Sequence, residues 1–148
     1  MSLLQQLTSD MVTAMKKRDK ETLNVVRMLK AAVQNEQIEL GHDLSSDEEI
    51  AVMAREYKHR KESLEEFEKA GREDLISQAK KELAIVESYM PKQLSKDEVT
   101  SIVEGVINEL NASSMKDFGK VMKSVMPKVQ GQADGKLVNQ VVKEQLNK

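Results

Sequence analysis

The chain has 148 residues, 32% of them charged and only 3% aromatic, with a formal net charge of −2. That length allows one domain or two small ones, and a core so poor in aromatics must be filled by Leu, Ile, Val and Met. With 6 Gly, 2 Pro and no Cys, the composition predicts an all-α protein and excludes disulfides, thiolate nucleophiles and cysteine-ligated metals.

Met1-Ser2-Leu3-Leu4-Gln5 lacks the basic and apolar regions of a signal peptide, and no apolar run approaches the ~20 residues that span a bilayer. The expectation is a soluble, cytoplasmic protein with no membrane partner. Ser2 and Gln5 have the spacing of a capping box, and Leu3, Leu4, Leu7, Met11 and Met15 recur at helical spacing, predicting a first helix to about Lys17. Asp19 caps a second helix with Leu23, Val26, Leu29 and Val33 on one face, widened by Val25, Met28 and Ala32. Gly41 ends it. Ser46 and Glu49 are read as the capping box of a long third helix running to about Ala70. Its narrow apolar stripe is Ile50, Met53, Tyr57, Leu64 and Phe67. After Gly71 a fourth helix places Leu75, Ala79, Leu83, Val86 and Met90 on one side. Two long helices with narrow stripes and a short connection predict an antiparallel hairpin, with the first two helices packed at one end of it.

Pro91 disfavours helix at and before its position. Ser95 followed by Glu98 then forms a capping box. The predicted organisation is an N-terminal helical domain over residues 1–90, a joint at 91–95, and a three-helix C-terminal domain over 96–148. In that last part Val99, Ile102, Val103, Val106 and Leu110 mark one helix. A second, capped by Ser114, sets Phe118, Val121, Met122 and Val125 against Lys116, Lys120 and Lys123 on the opposite side. Pro127 ends or bends it. The loop Gly131–Gly135 leads to a last helix capped by Asp134, with Val138, Val141 and Val142 inward and Lys136 and Lys143 outward.

Few residues suggest catalysis. Glu56 and His59 have the Glu-x-x-His spacing of a bundle di-metal site, but the motif occurs once where such sites need it twice. No metal ligand and no cofactor is assigned. His42 beside Asp43 reads as a turn residue. Gly131-Gln132-Ala133-Asp134-Gly135-Lys136-Leu137 is one residue short of a phosphate loop, puts Leu137 where Ser or Thr should stand, and follows no strand. It reads as a turn in which Gly135 permits the last helix to approach its neighbour closely. The serines at helix starts are explained by capping, and the many carboxylates lie on charged helix faces. No catalytic residue is assigned.

The charge distribution is more informative. Residues 1–110 hold 16 Lys+Arg against 22 Asp+Glu, whereas residues 111–148 hold 7 against 3. Lys116, Lys120 and Lys123, then Lys136 and Lys143, with Lys128 between, form a candidate footprint for a phosphate backbone. The competing reading is a solubilising surface. Without an aromatic platform, backbone and shape recognition fit better than readout of splayed bases.

The stretch Met115-Lys116-Asp117-Phe118-Gly119-Lys120-Val121-Met122-Lys123, followed by Gly131-x-Ala133-Asp134-Gly135-Lys136-x-Val138, closely resembles the helical tail shared by YqeY-like proteins and the B subunit of bacterial tRNA-dependent amidotransferase. Tyr89-Met90-Pro91-x-Gln93-Leu94-Ser95 resembles the joint of the same family, as does Lys61-Glu62-Ser63-x-Glu65-x-Phe67-x-Lys69-Ala70-Gly71-Arg72-x-Asp74-Leu75 the hairpin. The resemblance makes Pro91, Gly119, Gly131, Asp134 and Gly135 structural positions. It implies a two-part helical fold and a tail that contacts tRNA. It also implies a role beside tRNA-dependent amidation (carbon–nitrogen ligation with glutamine as amido donor), with an amidotransferase subunit or another tRNA enzyme as partner. Catalysis itself is not implied, because the amidase and activating parts of that enzyme lie outside the matched region. The alternative is a protein-interaction scaffold that uses the hairpin. The oligomeric state is left open.

Overall fold

The computed structural model describes residues 1–148, and its regular elements are all helical. They are α1 (Leu3–Lys17), α2 (Lys20–Leu40), α3 (Ser46–Ala70), α4 (Glu73–Glu87), α5 (Lys96–Leu110), α6 (Phe118–Val125) and α7 (Gly135–Leu146). Two 3-10 turns, Met115–Asp117 and Met126–Lys128, flank α6. The all-α expectation therefore holds. The chain divides into two compact units, Met1–Met90 and Pro91–Lys148.

In the first unit local chemistry sets the helix ends. The Gln5 amide donates to Ser2 Oγ at 3.2 Å and the Ser2 amide to Gln5 Oε1 at 2.9 Å, which is the predicted box. The Thr22 amide donates to Asp19 Oδ1 at 3.1 Å, and Gly41 closes α2 in the left-handed conformation at φ 77. The box of α3 is one residue earlier than expected: Ser45 pairs with Glu48, not Ser46 with Glu49. Glu49 is engaged elsewhere, since its Oε2 accepts from the Leu3 amide at 2.7 Å and so tethers the start of α1 to α3. The Ser45 amide donating to Glu48 holds that carboxyl below the ordinary carboxylate range. Its stabilisation is complete above the ordinary value and is lost as pH falls through the lowered one.

Leu7, Val25, Val26, Leu29, Val33, Val52, Met53 and Val86 form the core of this unit. Thus α1 and α2 pack on the first turns of α3 and the last turns of α4. Further along, α3 and α4 continue against each other, with Leu64, Phe67, Leu75 and Ile76 half-buried. Met28 does not widen the buried face of α2 as expected; it is 55% exposed and its sulfur accepts from Arg60 Nη2 at 3.6 Å. Arg60, only 9% exposed, occupies a position on the apolar stripe of α3 and pairs with Glu56 at 3.1 Å. Tyr89 donates to Asp10 at 2.5 Å, which fastens the last turn before Met90 to α1. Burial, then this bond, raises the Tyr89 phenol pKa above its ordinary value.

In the second unit, residues 91–95 are not a free joint. The Leu94 amide donates to Gln132 O and Gln93 Nε2 to Gly131 O, both at 2.7 Å, so the segment is tied to the loop before α7. Gly131 has φ +72, a conformation that glycine adopts without strain. The core is Val99, Val103, Val106, Val121, Val125, Val129, Val138, Val141, Val142 and Leu146. Gly135 does not serve close packing: a Cβ built there meets nothing within 4 Å, so the expected steric role is withdrawn. Gly105, inside α5, is equally unobstructed. Gly105→Ala is therefore expected to raise stability by about 0.5–1 kcal/mol through helix propensity, measured as a higher urea midpoint with unchanged slope.

Limited trypsinolysis is expected to cut after the exposed Lys92 before it cuts within α3. Earlier cleavage after Lys58 would mean that the units do not separate there.

Candidate nucleic-acid interface

The six candidate lysines lie on α6, α7 and the 3-10 turns beside α6. Ser114 Oγ accepts from the Lys116 amide at 3.3 Å, and Asp117 Oδ2 accepts from the Ser113 amide at 3.1 Å. These bonds shape the 3-10 turn that carries Lys116 into α6. Ser114 thus caps that turn and not α6 itself. Within α6, Val121 and Val125 are fully buried, Phe118 and Met122 are half-buried, and Lys120 and Lys123 are exposed. Gly119 lies beside the lysines with open space at its Cβ position. Asp134 Oδ1 accepts from the Lys136 amide at 3.2 Å and caps α7 as expected. Val138, Val141 and Val142 turn inward from that helix, and Lys136 and Lys143 remain exposed.

The six candidate lysines are not equivalent. Lys128 pairs with Glu109 at 3.7 Å, and Lys143 Nζ lies 5.9 Å from the centroid of the Phe118 ring. Both are tertiary contacts that residue spacing does not reveal. Lys116, Lys120, Lys123 and Lys136 form no ion pair. The three acids of residues 111–148 are all occupied. Asp117 and Asp134 accept backbone amides, and Glu144 accepts from Gln140 at 3.1 Å and pairs with Lys96 at 3.6 Å. Four exposed cations are thus left outside any ion pair. Their potential attracts polyanions and does no covalent chemistry.

The other candidate motifs have structural employment. Glu56 is committed to Arg60, which separates it from any role with His59. No group of His, Asp and Glu is arranged to hold a metal ion. His42 Nδ1 contacts the Asp43 carbonyl at 2.7 Å in the turn after α2. The phosphate-loop-like stretch is the turn anchored by Gln93. No helix is long and apolar enough to cross a membrane.

Fold and face together define a small helical protein with an acidic first unit and a basic second one. Residues 4–146 match the family model described as Yqey-like protein, and the chain belongs to that family. It is 26% identical over 151 residues to "Altered inheritance of mitochondria protein 41, mitochondrial" of Pyrenophora tritici-repentis, covering 96% of this chain and 80% of the relative. It is also 42% identical over 59 residues to the E subunit of glutamyl-tRNA(Gln) amidotransferase from Methanocaldococcus jannaschii, covering 37% of this chain and 9% of that relative. The Thermococcus sibiricus protein of the same name is 36% identical over 95 residues, 62% of this chain and 15% of the relative. The chain thus spans a small part of these two amidotransferase proteins.

Proposed function

We propose that this protein is a tRNA-binding accessory module that acts through the basic face of its second unit, in association with tRNA-dependent amidation. The observation that carries the reading is the set of exposed lysines outside any ion pair, Lys116, Lys120, Lys123 and Lys136, in a segment where basic residues outnumber acids 7 to 3. Relatedness to part of a glutamyl-tRNA amidotransferase supports tRNA as the polyanion. Carbon–nitrogen ligation would then belong to a partner, an amidotransferase subunit or another tRNA enzyme. This chain offers no cysteine nucleophile, and its serines at helix starts accept backbone amides.

Purified tRNA tests the reading. Four lysines neutralising about four phosphates give a salt slope near ~3.6, so affinity is expected to fall about a hundredfold between ~50 and ~200 mM salt. Binding without that dependence, or none at low salt, would leave the lysines a solvated surface. The hairpin scaffold would then be the better reading, with α3 and α4 packed on each other and Leu64, Phe67, Leu75 and Ile76 half-buried along them.

A further inference from the structure

We infer that Lys143, seated over Phe118, makes the basic face a reader of duplex backbone and closes it to unstacked bases. The inference rests on the proposed RNA-binding role and assigns to it a substrate class and a specificity-determining residue. Phe118 is the only aromatic residue of the second unit. Its side chain packs against the valine core, and the Lys143 ammonium lies over the ring at 5.9 Å. Proteins that bind single strands stack successive bases on open aromatic faces. Here the one ring that could serve is occupied by the core and by a cation. Glu144, the acid next in sequence, is held by Gln140 and Lys96, so it does not draw Lys143 away.

A polynucleotide meeting this surface finds ammonium groups and no stacking platform. Contact is then electrostatic, and it favours the strand arrangement with the higher charge density. The salt slope per phosphate is about 0.9 for a duplex and about 0.7 for a single strand, so several contacts together separate the two. Lys143 serves twice, by adding a positive charge and by denying the ring to bases.

The test uses the full chain and two fluorescent probes with equal numbers of phosphates, a short RNA duplex and an unstructured oligouridine, at one salt concentration. The wild type is expected to prefer the duplex. Lys143→Ala removes one charge and uncovers the ring, so the preference should shrink by about fivefold or more as single-strand stacking becomes available. Lys136→Ala removes the same charge from the same helix and leaves the ring covered, so both affinities should fall and their ratio should change much less than in Lys143→Ala. Lys143→Arg keeps a cation over the ring and should keep the ratio. Adding Phe118→Leu to Lys143→Ala should restore it. If Lys143→Ala and Lys136→Ala alter the ratio equally, or if the wild type binds both probes alike, the inference is overturned while the basic face stands as an RNA site. If neither probe nor tRNA binds at low salt, the RNA-binding reading fails and takes the inference with it.

Discussion

Replacing Lys120 and Lys123 together by Glu is expected to weaken tRNA binding more than about tenfold at ~50 mM salt and to flatten the salt slope by about two units, one per lost phosphate contact. Both side chains project from α6 on the side away from Val121 and Val125, so neither contributes to the core. The loss should be similar for every tRNA, because phosphate contacts carry no sequence information. Lys123 lies in the last turn of α6, where a cation favours the helix and a carboxylate opposes it. The Lys120→Gln, Lys123→Gln pair removes the charges without that opposition and should show most of the slope change. Reversal at Lys58 and Lys80, exposed in the first unit, should leave the slope nearly intact. Equal binding by the two charge-reversed proteins would remove the basis for placing RNA on α6.

The largest effect on stability is expected at Leu29. Its side chain is completely buried where α2 meets α1, α3 and α4. Leu29→Ala removes apolar burial and leaves a cavity, at a cost of about 2–5 kcal/mol. A helical unit of 90 residues has a total stability of roughly 5–13 kcal/mol, so the variant should unfold at much lower urea. Leu29 is absent from the valine cluster of the second unit. Fluorescence probes placed in each unit should therefore show the first transition move and the second stay. A shift of both together would mean that the chain unfolds as one cooperative body.

What the sequence reveals follows the range of the interactions. The boxes at Ser2/Gln5 and Ser95/Glu98 span three residues, and their donors and acceptors can be paired from spacing alone. At Ser45-Ser46 spacing allows two registers. The choice between them involves Glu49, which serves the Leu3 amide 46 residues away. The same division runs through the basic face. Helical periodicity separates Lys120 and Lys123 from Val121 and Val125, whereas the Lys128–Glu109 pair and the Lys143–Phe118 contact depend on how α5, α6 and α7 pack. Arg60 does carry a signal in its position. It stands between Tyr57 and Leu64 at the spacing of the apolar stripe, the place where a partnered arginine is buried. Gly135 misleads in the other direction, since a glycine near a helix start suggests a steric task that its open surroundings do not require.

The brevity of α6 has a consequence for hydrogen exchange. Eight residues are fewer than the ~12–15 at which an isolated helix becomes even marginal in water, and β-branched valines add little helix preference. Its amides are thus protected by the shared valine cluster and not by the helix alone. Deuterium uptake in α6 should follow the same opening free energy as the slowest amides of α5 and α7, without an intermediate tier. The lysines of α6 should correspondingly form a face only while that cluster is closed.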